Sequence, residues 1–462
     1  MTARKTIARE SPNFVVEGRL RATIPEKIVK PWKLPPQQTY VLKNCNVVDS
    51  ADGVVRPNIT VKLADGIIKS VLEQNSHSDT SRSGGGEDDE DAIVIDLAGK
   101  YLSPGLIDCH VHLSSTPGDA TLAGAMPTDP AVSLLRQPFA CAQALARGFT
   151  TLRDCGGATL ALKEALADDV FPGPRIFIAA RALSQTGGHG DTRSAHDHSS
   201  LTGGGCCGTG EIAGLSTVCD GVPECTRAAR EQLRTGADFI KIMVGGGVAS
   251  PTDRIENVQF TAAEVAAVTE VARGHGTYVT AHAYTPRAIR HAVEGGCSGI
   301  EHGNLLDADT ANLMAARNVW LVPTLVTYDA MASDRYAGFL PPENQAKNRE
   351  VLDAGLRSLE IASAAGVSMC YGSDLLGPLT ADQSREFGIR SRILTNAQVL
   401  QSATINAAKM LRQEAFLGQI MEGFAADVLI LNNNPLEDVS ILDKPEKHVL
   451  VVMKNGRVYK SR

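Results

Sequence analysis

The chain predicts an α/β fold, a (β/α)₈ TIM barrel with a small discontinuous β-sandwich domain. Three observations lead there. Eight short apolar runs alternate with helical segments between residues 106 and 374. Strand-patterned segments stand near both ends of the chain, and the unusual polar residues cluster at the C-terminal ends of the apolar runs. Alternating βα units bury a parallel sheet on both faces, and such barrels gather their active groups at the strand C-termini.

Residues 1–38, with Pro35-Pro36 and scattered charges, predict an extended arm that contacts a neighbouring subunit. Residues 39–72 read as short strands punctuated by Asp52-Gly53 and Asp65-Gly66, the residue pairs that hairpin turns demand. Residues 75–92 are acidic, polar and glycine-rich, and predict a disordered surface loop. Strand patterning returns in ADVLILNNN (426–434) and in HVLVVMKNGRVYK, with a hairpin pair at Asn455-Gly456. The segments 39–103 and 417–462 are therefore expected to pair as one β-domain beside a barrel of residues 104–416.

The eight predicted barrel strands are LIDCHVHL (106–113), FTTLRDC (149–155), RIFIAAR (175–181), FIKIMVGG (239–246), YVTAHAY (278–284), GIEHGN (299–304), WLVPTLV (320–326) and SMCYGSD (368–374). Helical stretches such as TAAEVAAVTEVARGHG and TPRAIRHAVEGG separate them. The glycine- and histidine-rich insertion at 182–235 predicts a loop over the barrel mouth.

Bulk composition narrows the function. Of 462 residues, 43% are hydrophobic and 21% charged, as in an ordinary globular enzyme. A net charge of −7 argues against nucleic acid as the main partner, and no apolar run is long enough for a membrane span. The first residues lack the apolar core of a secretory signal, which points to a cytoplasmic location. The ten cysteines form no CxxC pair. Cys109, Cys297 and Cys370 read as buried thiols, and Cys206-Cys207 as part of a flexible loop.

Six metal-competent groups fall on one predicted mouth: His110, His112, Lys241, His282, His302 and Asp374. His110 and His112 stand two apart on a strand, so both point into the barrel and grip one divalent cation. His282 and His302, from neighbouring strands, grip a second. A buried Lys241 loses its proton, and the free amine takes up carbon dioxide to form a carbamate whose two oxygens bridge the metals. Asp374 ligates the first metal and accepts a proton from the water that the metals activate.

Each group also has a plainer structural role: packing for the histidine pair, a snorkelling strand-end lysine for Lys241, a helix N-cap for Asp374, a surface ion pair for Glu301-His302. All of these would have to hold at once for the site to vanish.

On these residues the chain resembles the amidohydrolase superfamily in its binuclear, carboxylated-lysine subtype. The likeness rests on LSPGLIDCHVHL, TAHAY, IEHGN, YGSD and the closing GFAADVLIL, and spans residue 39 to the C-terminus. It implies His110, His112 and Asp374 on one metal, His282 and His302 on the other, carboxylated Lys241 between them, and zinc as the metal. RALSQTGGHGD (181–191) and KIMVGGGVAS (241–250) resemble the prolidase-like and ochratoxinase-like amidase branch, which cleaves amides to amino acids bearing a free carboxylate.

A small-molecule substrate with a carboxylate wants cationic or hydrogen-bonding partners. His189, Arg193, Arg254 and Tyr328 are the candidates near the predicted mouth, while His196 and His198 read as a solvated loop. The leading expectation is amide hydrolysis, with opening of a lactone or cyclic amide, or heterocycle deamination, as alternatives at the same site. A non-catalytic scaffold is disfavoured because all six positions are filled. The resemblance also implies a homo-oligomer.

Overall fold

The computed structural model describes residues 25–73, 91–125, 129–194, 196 and 214–462. Most of the 75–92 loop, the arm before residue 25, Cys206, Cys207 and His198 lie outside the described residues. The chain divides into two units at Pro35 and Pro36. Of the first unit, Glu26–Val29 makes one helical turn, and Lys33 pairs with Glu26 at 2.5 Å.

The second unit carries the strands. β1 (Tyr40–Asp49), β2 (Val54–Ala64), β3 (Ile67–Glu73), β4 (Ile93–Asp96) and β5 (Tyr101–Pro104) come first. The middle holds β6 (Leu106–Val111), β7 (Phe149–Asp154), β8 (Arg175–Ile178), β9 (Ala182–Ser184), β10 (Ser216–Val218), β11 (Ile240–Met243), β12 (Val279–Ala283), β13 (Gly299–His302) and β14 (Trp320–Val322). β15 (Val428–Leu431), β16 (Val449–Lys454) and β17 (Arg457–Ser461) close the chain.

The terminal strands join in one eight-stranded sheet, ordered β17-β16-β15-β5-β1-β2-β3 with β4 on β1. The join between the two chain segments is antiparallel, Leu102 opposite Ile430 and Pro104 opposite Val428. Ile59, Val61 and Leu63 of β2 are buried alternately, the period-two pattern of a strand with one face on a core. Asp65-Gly66 and Asn455-Gly456 adopt positive φ (52° and 78°; 48° and 72°), the backbone of the tight turns that the dipeptides predict.

The middle strands are parallel and interleaved with helices, a TIM-barrel-like α/β arrangement. They form a three-stranded sheet, β6-β7-β8, and a six-stranded sheet, β10-β9-β11-β12-β13-β14. At one junction, the Asp238 N–H donates to the Ile178 carbonyl at 2.7 Å, while the Asp238 carboxylate accepts the Ile178 N–H at 2.8 Å. At the other, residues 368–374 lie between β14 and β6. Cys370 N–H donates to Leu321, Cys109 N–H to Tyr371 and Asp374 N–H to His110, at 2.8–2.9 Å. The helices start where the sequence supplies caps: Asp129 ahead of Pro130, a capping box of Thr261 and Glu264, and Thr285 ahead of Pro286. Each such cap contributes roughly 1 kcal/mol.

Three predicted strands differ in detail. The third is split: β8 pairs with β7, the chain kinks at Ala180 (φ 57°), and β9 pairs with β10 and β11. The 182–235 insertion therefore holds β9, β10 and the helix Gly221–Arg234 in addition to its loop. The seventh ends at Val322, because Pro323 offers no N–H and Thr324 turns left-handed (φ 49°) into the helix Leu325–Ala332. The eighth makes only one ladder bridge, Met369 to Leu321. Its Tyr371 N–H goes to the Ser402 carbonyl, and its Ser373 N–H is shared between the Asp108 carboxylate (3.1 Å) and the His110 carbonyl (3.3 Å), so no regular ladder forms.

Among the described residues eight cysteines are buried and free, Cys109, Cys297 and Cys370 included. No helix among these residues is long and apolar enough to cross a membrane.

Candidate active site

The strand register brings the predicted ligands to one end. In the parallel ladders Met243 stands opposite His282, and Ala283 opposite His302. Asp374 reaches the same place from the irregular eighth segment. Its Oδ1 lies 3.3 Å from His110 Nε2 and 3.2 Å from His112 Nε2, and its Oδ2 lies 3.9 Å from His302 Nδ1. The His282 ring packs edge-on to His302 with centroids 4.6 Å apart. Ligand atoms of His110, His302 and Asp374 all fall within 4.8 Å of one another.

The groups behind the histidines decide which nitrogen each one offers. His110 donates Nδ1–H to Glu301 Oε2 at 2.7 Å and His112 donates Nδ1–H to the Gly156 carbonyl at 2.9 Å, which leaves Nε2 of both rings facing Asp374. His282 donates Nε2–H to the Gly246 carbonyl at 3.0 Å, leaving Nδ1. The hydroxyls of Thr324 (2.7 Å) and Tyr328 (2.9 Å) converge on His302 Nδ1. The holds on His110, His112 and His282 are those by which carboxylates and carbonyls orient metal-ligating imidazoles through the second nitrogen.

Electrostatics differ among the histidines: burial would lower His110, but Cys155 and the Asp374 and Glu301 carboxylates hold it well above the ordinary imidazole range. Burial holds His282 and His302 well below the ordinary imidazole range, so both are neutral, the form that ligates. Burial also lowers Lys241, against the opposing pull of the Glu301 and Asp374 carboxylates. Burial alone would raise Asp374, but His110, with hydrogen bonds from His110 and His112, holds it well below the usual carboxylate range. Nitrogen and carboxylate donors converging on a largely buried site fit a divalent transition metal.

Three of the plainer roles do not fit. Lys241 is 1% exposed and so does not snorkel; Glu301 is 0% exposed and is no surface partner. Asp374 caps no helix: it sits in the left-handed region (φ 51°), as do His302 (φ 76°) and Thr324 (φ 49°). Non-glycine residues in that region cost on the order of 1 kcal/mol or more each, and such strain concentrates at functional sites.

Several supporting residues were not singled out from sequence. Glu301 accepts from His110, from Arg153 Nη2 at 2.5 Å and from Thr280 Oγ1. Arg153 also donates Nε–H to the Cys109 carbonyl at 2.5 Å and lies over the Phe239 ring. Asp108 accepts from the Ser373 N–H (3.1 Å), the Ser373 hydroxyl (2.6 Å) and Gln383 Nε2 (2.9 Å), fixing the turn that aims Asp374. Asp154 accepts the N–H groups of Leu113, Gly156 and Ala158, fixing the carbonyl that holds His112. The available signal was a charge inside an apolar strand run: Glu301 in GIEHG and Arg153 in TTLRDC.

The four substrate-side candidates are placed differently from one another. The His189 ring stacks on His282 with centroids 4.2 Å apart. Tyr328 is buried, its hydroxyl 2.9 Å from both His302 Nδ1 and the Tyr284 hydroxyl. Arg193 forms a two-pronged pair with Asp191 (2.8 and 2.6 Å), and Arg254 is exposed. His196 is exposed too.

The model of the Amidohydrolase family matches residues 101–459. Ochratoxinase of Aspergillus niger is 33% identical over 375 residues, 78% of this chain and 76% of that protein. An amidohydrolase crystal structure is 42% identical and superposes with a TM-score of 0.84, covering 92% of this chain and 100% of that one. A prolidase complexed with N-methylphosphonate-L-proline is 40% identical with a TM-score of 0.83, at the same coverage. The chain belongs to the amidohydrolase family, in its ochratoxinase- and prolidase-like branch, and is a hydrolase acting on amide bonds.

Proposed function

We propose that the chain cleaves the amide of a dipeptide or N-acyl amino acid with a free carboxylate, including ochratoxin-like amides, at a two-metal site. The observation that carries this is the meeting of His110, His112 and His302 on Asp374 beside the buried Lys241. His110, His112 and Asp374 would hold one ion and His282 and His302 the other, zinc being the best match to this donor set. Lys241, uncharged, would add carbon dioxide to become a carbamate, releasing one proton, and would supply anionic oxygens to hold the ions. Bound ions there supply Lewis acidity that lowers the pKa of a water and polarises the substrate carbonyl.

The chain's own residues do the rest. Asp374 takes the proton from the attacking water and returns it to the departing amine nitrogen. Glu301 orients His110, and Thr324 and Tyr328 orient His302. His189, next to His282, contacts the substrate, and Arg193 and Arg254 are the candidate partners of its carboxylate. The reading also takes residues 104–416 as a closed (β/α)₈ barrel, supported by the hydrogen bonds at both sheet junctions, with 39–103 and 417–462 as its companion β-domain.

The test is a hydrolysis screen of N-acyl amino acids, Xaa-Pro and Xaa-Phe dipeptides, with and without a chelator. Cleavage lost on chelation and restored by zinc is the expected result. Zinc-dependent opening of lactones or cyclic amides, with every linear amide left intact, would overturn the substrate class.

A further inference from the structure

His189 is anchored on its Nδ1 side. That nitrogen lies 2.8 Å from Ser250 Oγ, and the Ser250 hydroxyl also meets Asp253 Oδ1. A carboxylate only accepts, so Ser250 donates to Asp253, and its oxygen is left to accept from His189 Nδ1–H. The second Asp253 oxygen accepts the Gly247 N–H at 3.0 Å and Gln259 Nε2 at 2.9 Å, and Gln259 Oε1 accepts the His189 N–H at 2.9 Å. Residue 247 has to be glycine, because a Cβ there would stand 1.9 Å from His189 Nδ1.

The loop bearing Ser250 and Asp253 is itself clamped from far along the chain. Lys347 Nζ donates to the carbonyls of Asp253 (2.7 Å), Ser250 (3.0 Å) and Gly247 (3.2 Å). Asn344 donates to the carbonyls of Val248 and Ser250, and Asn348 to that of Tyr328 at 3.1 Å. Asn344, Lys347 and Asn348 share one face of the helix Pro342–Ala364. That single face ties the His189 side of the site to the Tyr328 side.

We propose that Ser250 and Asp253, held by Lys347, are positioning residues that lock His189 in its Nδ1–H form and leave Nε2 as the nitrogen that meets the substrate. This rests on His189 being a substrate contact, as in the function proposed above. The arrangement resembles the second-nitrogen control of metal ligands, applied here to a group on the substrate side.

The test is ring-¹⁵N histidine NMR on zinc-loaded enzyme, with His189→Asn assigning the signals, run beside steady-state kinetics, metal content and melting temperature. In wild type, His189 should show a protonated Nδ1 and an unprotonated Nε2. Ser250→Ala should lose that pattern, and Ser250→Thr should keep it. Ser250→Ala and Asp253→Asn should lower kcat/KM by about tenfold or more with metal content and melting temperature unchanged, and Ser250→Thr should restore it. An unchanged His189 pattern in Ser250→Ala overturns the proposal. So does a kinetic loss that tracks metal or melting temperature, or one that Ser250→Thr fails to restore. Should wild type cleave none of the amides, the proposed function fails while the NMR arm still decides the role of Ser250.

Discussion

The proposed metal-ligand half of the site and the proposed substrate half are held by different physics. His110, His282 and His302 sit on β6, β12 and β13, where strand pairing fixes the backbone, and their rings are held by the Glu301 carboxylate, the Gly246 carbonyl and the Thr324 and Tyr328 hydroxyls in turn. His189 sits on a loop, and its position comes from side chains that reach across the chain: Lys347 lies 94 residues from the Asp253 carbonyl it holds. Strand-borne ligands share their supports with the core, so damage there reaches metal binding and folding together. The loop-borne half can lose orientation while the fold and the proposed ligand cluster stay intact.

Three substitutions sharpen that contrast. The largest effect belongs to Asp374→Asn. Asparagine tolerates the left-handed backbone and can still offer an oxygen, so metal should largely remain while kcat falls by about a thousandfold or more. Kinetics with metal analysis check it, and high residual turnover would remove Asp374 as the proton carrier. Next comes Glu301→Gln, which leaves Arg153 with an uncompensated buried charge. Loss of one partner from such a pair costs about 3–5 kcal/mol, so denaturant unfolding should show a large drop together with weaker metal binding. A wild-type midpoint would break the claim that the strand half couples metal to fold.

The smallest effect lies outside both halves, at Asp443, whose carboxylate accepts the Gly388 N–H at 2.9 Å. Burial pushes its pKa up to about 7 from 3.8. The folded state then holds a proton that the unfolded state has released, so this stability is present below about 4 and lost as the pH rises through about 7. Asp443→Asn should therefore gain in melting temperature relative to wild type across that window. A difference that stays flat with pH would contradict the burial.

The sequence was most readable where local geometry sets position. Period-two spacing placed His110 and His112 on one side of a strand, and strand ends placed His302 and Asp374 at the mouth. Asp65-Gly66 and Asn455-Gly456 announced their turns because few other pairs adopt positive φ. It was least readable where partners come from afar. Glu301 reads as a surface acid until Arg153 and Thr280 are seen around it. Arg193 reads from sequence as a lone cation, and its pairing with Asp191 two residues away is seen only in the structure. The eighth strand is irregular where Ser402 takes the Tyr371 N–H and Asp108, 265 residues distant, shares the Ser373 N–H.

The most direct measurement is metal content per chain by elemental analysis, in wild type and in Lys241→Ala, each incubated with zinc and bicarbonate. The account predicts about two metals per chain in wild type, with metal and activity falling together in Lys241→Ala. Two retained metals in Lys241→Ala would contradict the carbamate bridge. Near-zero metal in wild type, not restored by zinc and bicarbonate, would contradict the two-metal site itself.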